Sequence, residues 1–406
     1  MPNLDPAYGL EPVDVARRLG GMVNVALIGA GWQRSIFALG EPVTVADQDP
    51  FRGLDQPGED LASAWFGSVG FPAGDLIESL QAPPERDPQI PSVLLARYPG
   101  VISAEGDGWR FDGETDLAEI VRDLLSRPAE PTPFVCGDFA ATPGRGAHMK
   151  SVGRVLDRIA QGEFFQANLT MRAEAIFEGD PLALFCAGVE AAAPRRAAFV
   201  RRGDTAIVSM SPETFLLREG RSVATEPIKG TRPAGPSGAA ELAASKKDRA
   251  ENIMIVDLMR NDLGRVCEPG SIEVPMLCEP QQHPGVWHLV SRVEGRLREG
   301  VGDGDLMRAA FPPGSVTGAP KLRALETINE LEPWGRAAYT GAIGYSFADR
   351  AEWSVAIRTF EIHRDRIWFG VGGGIVADSD PEAEYEECLT KASTLLAIAG
   401  ARLIDG

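Results

Sequence analysis

Glycine and proline interrupt this chain at short intervals. The sequence has 45 glycines and 31 prolines in 406 residues, and both residue types end regular elements or bend the chain between them. The apolar runs between these breaks are short, as in Met22 to Ile28. This pattern argues against a helical bundle and favours groups of short strands with helices placed irregularly between them. We therefore expect an α+β fold and not a regular alternation of parallel strands and helices.

A proline-rich segment from about Ser126 to Gly146 divides the chain. It contains Pro128, Pro131, Pro133 and Pro143. A second proline-rich loop runs from Gln81 to Pro91. Such clusters are typical of loops and linkers, and no internal repeat is visible. We place an N-terminal region at 1–145 and a C-terminal catalytic region at 146–402.

Local patterns predict several elements of the C-terminal region. Val152, Val155, Leu156 and Ile159 recur at helical spacing. A long helix is expected over about Ala239 to Leu263, and a final one over about Pro381 to Ala399. Asp380 followed by Pro381 is a favourable N-cap and first-turn pair for that last helix. Extended segments are predicted at 164–174, 197–211, 338–347, 353–363 and 366–376.

Composition restricts the class of protein further. The 40 Lys+Arg and 58 Asp+Glu residues give a net charge of −18, which disfavours binding to nucleic acids and to anionic membranes because both require a basic surface. No apolar run approaches the ~20 residues of a membrane span, and the N-terminal segment lacks the apolar core of a signal peptide. Five scattered cysteines without a CxxC pair indicate reduced core thiols, not a disulfide framework or a zinc site. A cytoplasmic enzyme is the expected class.

Fragments of the sequence suggest two nucleotide-binding motifs, but neither is complete. The turn Gly29-Ala30-Gly31 follows an apolar run, but Arg34 occupies the third glycine position of a dinucleotide fingerprint. The segment Gly314 to Lys321 lacks the GK[ST] ending that binds phosphate and Mg²⁺. No GxSxG nucleophile elbow occurs. We expect a tight turn at Gly29–Gly31 and no Rossmann or P-loop site.

Two predicted helices each carry a pair of carboxylates spaced i, i+3. Asp248 and Glu251 form one pair, and Glu384 and Glu387 form the other. Carboxylates at this spacing lie on one helix face, about 5–6 Å apart. If the two pairs faced each other, a hard cation such as Mg²⁺ would relieve their repulsion. On spacing alone, a solvated face with a Glu387–Lys391 ion pair is the favoured alternative.

A set of short motifs, in order along the chain, resembles the chorismate-utilising enzymes, the family that includes anthranilate synthases, aminodeoxychorismate synthases and isochorismate synthases. The motifs are Ser211-Pro212-Glu213, Pro227-Ile228-Lys229-Gly230-Thr231, Ala250-Glu251-Asn252, Asp257 to Arg265, His288-Leu289-Val290-Ser291, Gly314 to Lys321, Ala356-Ile357-Arg358-Thr359, and Gly372 to Gly374 with Glu384 and Glu387. Each motif is modest alone, but the set is specific and covers about residues 146–402. The N-terminal third resembles the family only loosely, through Trp65-Phe66-Gly67 and Gly70-Phe71.

The resemblance implies a fold and a site. The implied fold is the anthranilate synthase component I-like fold, in which antiparallel sheets pack as a β-sandwich with helices on the outside. It implies Mg²⁺ held by Glu251 and Glu387, with Asp248 and Glu384 in outer positions. It further implies that Arg358, Tyr345 and the backbone at Gly372 and Gly374 bind the enolpyruvyl carboxylate, and that His288, Ser315 and Thr231 belong to the substrate site. Glu213 matches the general acid/base that handles the departing ring hydroxyl.

Position 229 discriminates within the family. The chain reads PIKGT at 227–231, as aminodeoxychorismate synthases do, where anthranilate synthases usually read PIAGT. The resemblance implies that Lys229 attacks C2 of chorismate with loss of the C4 hydroxyl, after which ammonia enters at C4. The non-catalytic alternative is that Lys229 is a solvent-facing lysine at the end of a strand.

Two further features bear on the branch of the family. Gln166 occupies the place of the water-activating lysine of isochorismate synthases, and glutamine cannot act as a general base. Leu76-Ile77-Glu78-Ser79 superficially resembles a tryptophan-sensing segment but follows Trp65-Phe66-Gly67, where that segment is not expected. These features favour C4 amination on the route to 4-aminobenzoate and folate over hydration.

The chain contains no Cys/His glutaminase set, so the resemblance implies ammonia from a separate glutamine amidotransferase subunit. Anthranilate synthase component I or another aminating chorismate enzyme remains the alternative activity. A catalytically silent subunit is a third alternative, and the intact set of Lys229, Glu213, Glu251 and Glu387 argues against it.

Overall fold

The computed structural model describes residues 7–46, 48–78, 90–130 and 132–404, which include ten α-helices and 23 strands. The helices are α1 Pro12–Leu19, α2 Pro50–Leu54, α3 Thr115–Ser126, α4 Arg145–Ala160, α5 Pro181–Ala192, α6 Gly238–Ala244, α7 Lys246–Gly264, α8 Asp303–Ala310, α9 Lys321–Leu331 and α10 Pro381–Ala399. The strands are β1 Val23–Ile28, β2 Ile36–Leu39, β3 Thr44–Val45, β4 Trp65–Val69, β5 Val93–Arg97, β6 Gly100–Glu105, β7 Gly108–Gly113, β8 Phe134–Cys136, β9 Phe139–Thr142, β10 Gln166–Gly179, β11 Arg196–Arg202, β12 Thr205–Ser211, β13 Thr214–Glu219, β14 Ser222–Glu226, β15 Ile228–Pro233, β16 Glu273–His283, β17 Val286–Arg296, β18 Gly318–Ala319, β19 Ala342–Phe347, β20 Arg350–Val355, β21 Thr359–His363, β22 Arg366–Ile375 and β23 Leu403–Ile404.

The strands form two large sheets. The first sheet has 13 strands and runs β23-β9-β10-β22-β21-β12-β11-β1-β2-β6-β7, with β8 and β18 also paired to β10. The second sheet has ten strands and runs β15-β17-β14-β13-β20-β19-β4-β5-β3, with β16 also paired to β17. All the pairings between these strands are antiparallel except β23 with β9.

The two sheets pack face to face around a buried apolar layer. Val25 and Ile207 of the first sheet belong to the same cluster as Phe66 and Ile343 of the second. A separate apolar layer covers the outer face of the first sheet with residues of α1, α3, α5 and α10. Another covers the outer face of the second sheet with residues of α2, α7 and α8. The expected α+β sandwich with helices on the outside is therefore confirmed.

Strands from before and after residue 146 share both sheets. β1 pairs with β11 in the first sheet, and β4 pairs with β19 in the second. The boundary that we placed between 1–145 and 146–402 falls at the start of α4, and it stays a prediction about the chain's organisation. In the structure the two regions contribute to the same sandwich.

The chain crosses between the sheets at two short segments that lie side by side. Pro212 and Glu213 connect β12 to β13, and residues 356–358 connect β20 to β21. The Val355 amide donates to the Glu213 carbonyl at 3.1 Å, and the Met210 amide donates to the Arg358 carbonyl at 2.9 Å. Two predicted site residues, Glu213 and Arg358, are therefore located on adjoining crossovers.

The helix predictions hold with one difference. α4 and α10 form as expected, and the Asp380 side chain accepts from the amides of Glu382 and Ala383. The helix expected over about Ala239 to Leu263 is two helices, α6 and α7, with an interruption at Ser245. The Ser245 hydroxyl accepts from the Asp248 amide, and this N-cap starts a new helix in place of a continuation.

Each predicted extended segment contains one strand or parts of two consecutive strands. Segment 197–211 divides into β11 and β12, and segment 353–363 covers the end of β20 and all of β21 in different sheets. Gly29–Gly31 lies in the connection from β1 to antiparallel β2, which is incompatible with a dinucleotide-binding unit.

Some sequence features lie partly outside the described residues. Ser79 and most of the Gln81 to Pro91 loop belong to this group, as does Pro131. The five cysteines are unpaired, and four of them are buried. None of the described helices is long and apolar enough to span a membrane.

Candidate active site

Lys229, Glu213 and Ser315 come from three distant segments and meet at one place. Lys229 lies on β15, Glu213 on the first crossover, and Ser315 in a short 3₁₀ helix at Gly314–Val316. The Lys229 Nζ donates to the Ser315 carbonyl oxygen at 3.1 Å. The Ser315 side chain hydrogen-bonds the Glu213 carboxyl. An amine and a carboxyl group are thus held around one serine.

The Glu213 carboxyl is buried, and its pKa is raised as a result. Burial raises the pKa of Glu213 to about 7, against the opposing effects of the Ser315 hydrogen bond, the Lys229 charge and the Ile228 amide. A carboxyl group with such a pKa can donate or accept a proton near neutral pH.

Gly230 brings the Lys229 strand close to α7. Its φ is +68°, a left-handed conformation that favours glycine, and a Cβ there would lie 2.9 Å from Asp248 Cγ. Asp248 accepts a hydrogen bond from Arg232 at 3.0 Å. Asp248 of α7 thus packs against β15, where it pairs with Arg232.

A second cluster contains the carboxylates of α7 and α10 together with lysines. The Lys247 Nζ lies 3.2 Å from Glu384 Oε1 and 4.0 Å from Glu251 Oε1. The Lys391 Nζ lies 2.8 Å from Glu387 Oε1, so the Glu387–Lys391 pair anticipated as the alternative is formed. The two helices also bring their carboxylates towards each other, because Glu384 and Glu387 act on the pKa of Glu251.

The charges in this cluster displace two pKa values in opposite directions. Burial, reinforced by Glu384 and Glu387, raises the pKa of Glu251 despite the nearby Lys229 and Lys247. Partial burial also opposes ionisation of Glu387, whose side chain is half exposed, but Lys391, Lys247 and Lys229 outweigh it and lower the pKa of Glu387. Lys229 therefore lies within electrostatic reach of both helices.

The glycine run of β22 lets α10 approach the sheet closely. A Cβ at Gly373 would lie 3.1 Å from Glu384 Oε2, and one at Gly374 would lie 2.6 Å from the Gln166 side chain. The Gly372 carbonyl accepts from the Lys391 Nζ at 2.8 Å. Bare backbone thus separates the carboxylate cluster from the sandwich interior.

Carboxylate oxygens are the kind of ligand that a magnesium ion prefers. Within the described ranges no three His, Cys, Asp or Glu side chains form a ready cage for a metal ion. Mg²⁺ commonly takes only one or two protein carboxylates and completes its shell with water and substrate oxygens. The pair Glu251 and Glu387, on facing helices beside bare strand backbone, matches that requirement in number and chemistry.

His288 and Arg358 line a small cavity, and Thr231 contacts His288 beside it. The His288 Nδ1 lies 3.1 Å from Thr231 Oγ1 and 3.2 Å from the Gly230 carbonyl. Burial, followed by the Arg358 charge, lowers the pKa of His288 to about 4, so the ring is neutral at pH 7. Its Nε2 is buried without a hydrogen-bond partner in the part of the chain that the structure describes. His288 and Arg358 both line a cavity of about 20 Å³.

Arg358 is held in a conformation that is uncommon for a non-glycine residue. Its φ is +50°, in a region that clusters at functional sites. Burial lowers the pKa of its guanidinium group, and no ion pair with an acidic side chain forms within the described residues. An unpaired, largely buried guanidinium beside a neutral imidazole suits a planar carboxylate ligand.

The structure does not bring Tyr345 to this site, contrary to the expectation from resemblance. Tyr345 is buried between the sheets, stacked on Phe66 and Phe347, and its hydroxyl donates to Glu352 at 2.6 Å. Its position in β19 directs the ring into the apolar layer. The tyrosine that lies against the glycine strand is Tyr339, whose ring would meet a Cβ at Gly370 at 2.3 Å.

Gln166 lies within the site, where its position in the motif order had suggested. It is fully buried, and neither its Oε1 nor its Nε2 has a hydrogen-bond partner among the described residues. A larger cleft of about 370 Å³ lies elsewhere, between β7 and α3, and none of the predicted site residues lines it.

Comparison with known proteins identifies the family of the chain. The family model described as chorismate binding enzyme matches residues 32–397. Aminodeoxychorismate synthase component 1 of Salmonella typhimurium is 38% identical over 358 residues, which cover 86% of this chain and 79% of that protein. Anthranilate synthase component 1 of Thermus thermophilus is 35% identical over 433 residues, covering 96% and 91%.

A solved structure supports the same relationship at the level of the fold. Anthranilate synthase component I from Streptococcus pneumoniae superposes with a TM-score of 0.79 at 28% identity, covering 96% of this chain and 98% of that one. The match of the family model to most of the chain, the relatives above 30% identity and the shared fold lead to one conclusion: the chain belongs to the chorismate-binding enzyme family.

Proposed function

We propose that the protein is the aminating component of an aminodeoxychorismate synthase, which converts chorismate and ammonia to 4-amino-4-deoxychorismate through a covalent intermediate on Lys229. The observation that carries the proposal is the position of Lys229. Its amine lies beside a buried carboxyl group of raised pKa and within electrostatic reach of Glu251 and Glu387. The relatives from Salmonella and Escherichia coli, both named aminodeoxychorismate synthase component 1, support it.

In the first chemical step, the Lys229 amine forms a bond to C2 of the ring. The ring double bonds shift towards C4, the C4–O bond breaks, and Glu213 gives its proton to the departing hydroxyl, which leaves as water. The buried, protonated Glu213 suits this role because its pKa of about 7 keeps a proton available. The surplus proton of the attacking amine passes to solvent or to a neighbouring base.

In the second step, ammonia forms a bond to C4. The double bonds shift back, the C2–N bond to Lys229 breaks, and the lysine nitrogen takes up a proton in place of the one that the incoming ammonia loses. No oxidant or reductant is required, and the net change is replacement of hydroxyl by amine with release of water. The enolpyruvyl group is retained in the product.

Substrate orientation follows from groups around the amine. Arg358 and the backbone at Gly372 and Gly374 are proposed to bind the enolpyruvyl carboxylate, while His288, Ser315 and Thr231 contact the ring. Glu251 and Glu387 would hold Mg²⁺, with Asp248 and Glu384 outside them. When bound, the ion supplies a positive charge that orients the ring carboxylate.

Ammonia is proposed to come from a separate glutamine amidotransferase subunit. The designation component 1 of the relatives supports a partner. The isolated chain should use ammonium salts but not glutamine, and addition of the amidotransferase subunit should confer glutamine use. Glutamine-dependent turnover by the isolated chain would contradict this part of the proposal.

Anthranilate formation is the competing activity, and relatives with that name favour it as the second candidate. The purified chain is incubated with chorismate, ammonium and Mg²⁺, and the products are separated by chromatography and analysed by mass spectrometry and NMR. A product that retains the enolpyruvyl group and carries nitrogen at C4 supports the proposal. Anthranilate, or a product aminated at C2, would assign the chain to the second activity. A 4-amino product would further place the enzyme on a route to 4-aminobenzoate and folate.

A further inference from the structure

A buried arginine–glutamate pair lies next to the segment that carries Ser315. Arg336 and Glu332 are 4% and 3% exposed. The Arg336 Nε donates to Glu332 Oε2 at 2.9 Å, and its Nη2 donates to Glu332 Oε1 at 2.7 Å. This bidentate geometry fixes the plane of the guanidinium.

The remaining donors of Arg336 hold two backbone segments of the site. Its Nη1 donates to the Val316 carbonyl at 3.0 Å and to Thr340 Oγ1 at 3.3 Å, and its Nη2 donates to the Asn168 carbonyl at 2.7 Å. Together with the two bonds to Glu332, these contacts engage all five N–H donors of the side chain.

The Val316 carbonyl, which accepts from Arg336, is adjacent in the chain to the carbonyl that accepts from Lys229. Val316 follows Ser315, whose carbonyl accepts from the Lys229 Nζ at 3.1 Å. Asn168 pairs with Gly374 across β10 and β22, and its amide donates to the Thr317 carbonyl at 2.7 Å. Arg336 therefore joins the peptide next to the lysine's acceptor to the strand beside the glycine run.

Glu332 extends the same connection along β10. Its Oε1 accepts from the Thr170 amide at 2.9 Å and from the Thr170 hydroxyl at 2.7 Å. Thr170 pairs with Gly372. The arginine holds the residue opposite Gly374, and the glutamate holds the residue opposite Gly372.

We propose that Arg336, supported by Glu332, is a positioning residue for Lys229: it fixes the Ser315 carbonyl and so directs the lysine amine towards C2. The inference rests on the proposed function, because the covalent step is what the positioning serves. A lysine at 336 would keep the charge but could not span Glu332, Val316 and Asn168 with a planar fork. The Ser315 carbonyl would then lose its fixed position, and the Lys229 amine with it.

A second buried pair of the same chemistry provides a matched control. Arg218 and Asp303 form a bidentate ion pair, and Arg218 also donates to the carbonyls of Gly220, Phe347 and Ala348. Both residues are buried. Their contacts involve none of the residues proposed to act in the site.

The test compares Arg336→Lys with Arg218→Lys in the full chain. Three quantities are measured: the rate of adduct formation at Lys229 with chorismate and Mg²⁺ but no ammonia, kcat and KM for amination, and the thermal unfolding midpoint. We expect similar losses of thermal stability in the two variants. Arg336→Lys should lower adduct formation and kcat by about tenfold or more with a much smaller change in KM, while Arg218→Lys stays within about twofold of wild type. Guanidinium ion should restore adduct formation to Arg336→Ala but should not accelerate the wild type.

Equal losses of rate in the two lysine variants would overturn the inference. If Arg336→Lys does not fold, Glu332→Gln is compared with Asp303→Asn in the same assays, and equal rates in that pair would overturn it as well. Absence of an adduct in the wild type contradicts the covalent route instead, and the kcat comparison then decides the role of Arg336.

Discussion

The Lys229 Nζ lies 3.1 Å from the carbonyl oxygen of Ser315. A backbone acceptor directs an amine without neutralising it, because a carbonyl group carries no full charge. The same serine uses its side chain to bond Glu213. One residue therefore sets the relative positions of the proposed nucleophile and the proposed proton donor.

Replacement of Lys229 by alanine should abolish the covalent route. We expect C4 amination to fall by a factor on the order of 10³ or more, since the two-step displacement loses its first step. Chorismate binding should remain, because Arg358 and the carboxylate cluster are unchanged, and traces of a 2-amino product are expected. Kinetics, titration with chorismate and peptide mass spectrometry of the wild-type adduct measure these effects.

Lys246→Ala is the matched control for that variant. Lys246 is exposed at the start of α7, and its removal should change neither rate nor binding. The covalent route would be contradicted if Lys229→Ala formed the 4-amino product at the wild-type rate and the wild type formed no adduct.

The pH dependence of adduct formation should report the protonation of Glu213. Burial raises the pKa of Glu213 to about 7, and the protonated form is the proton donor. We therefore expect the rate to fall about tenfold per pH unit above that pKa. Glu213→Gln should lower the rate by about 10²–10⁴-fold and remove this descending limb. Stopped reactions without ammonia, analysed by mass spectrometry, avoid the titration of ammonia itself. If the rate of Glu213→Gln still fell above about pH 7, the pH dependence would belong to another group.

Folding stability should also change with pH through Glu213. Its pKa in the folded protein is about 7, above the ordinary value of 4.5, so the unfolded chain releases this proton first. The contribution to stability is complete below about pH 4.5 and is lost as pH rises to about 7. As the pH rises through this window, the unfolding free energy of Glu213→Gln should increase relative to that of the wild type by up to about 3 kcal/mol. Denaturant unfolding of both proteins at pH 4.5 and pH 8 measures this difference. The same difference in unfolding free energy at the two pH values would refute the prediction.

Removal of either proposed metal ligand should stop turnover without unfolding the protein. Glu251→Gln and Glu387→Gln each remove a hard oxygen ligand, which weakens Mg²⁺ binding and with it the grip on the substrate carboxylate. Calorimetric titration with Mg²⁺, activity measurements and thermal unfolding test this. Glu386→Gln is the control, since Glu386 is exposed and lies 3.0 Å from Arg145. Full activity of either ligand variant in chelator-treated buffer would return the two helices to a structural role.

Arg358→Lys should weaken chorismate binding more than it slows chemistry. A lysine cannot form two parallel hydrogen bonds to a carboxylate, so we expect KM to rise by about ten- to a hundredfold with kcat reduced far less. Arg364→Lys is a useful control because Arg364 also has a positive φ, of 54°, but pairs with Asp204 at the surface. An unchanged KM would remove Arg358 from the carboxylate site.

Local sequence signals predicted some elements and could not predict others. The bounds of α10 follow from Asp380, Pro381 and an uninterrupted helical segment, all of which act within one turn or along one face. The interruption at Ser245 also has a local cause, because a serine N-cap competes with continuation of the helix. That signal was present in the sequence and was outweighed by the helical pattern on both sides.

The site depends on contacts between residues far apart in the chain, and spacing alone carries no information about them. Lys229 and Ser315 are 86 residues apart, so only the resemblance associated them before the structure was known. Tyr345 shows the limit of such transfer. Tyr339 and Tyr345 both lie shortly before Arg358, and the face that Tyr345 takes is decided by the register of β19 with β4 and β20, a long-range property.

The two crossovers at Glu213 and Arg358 give the sandwich a mechanical property. Each of these short connections is hydrogen-bonded to a strand that flanks the other, so one sheet cannot slide over the other without breaking backbone hydrogen bonds. The distance between Glu213 and Arg358 is therefore set by these backbone connections and their hydrogen bonds, and not by how well the apolar layer between the sheets is filled. Substitutions in that layer, as at Phe66, should lower the unfolding temperature and leave the turnover of each folded molecule unchanged.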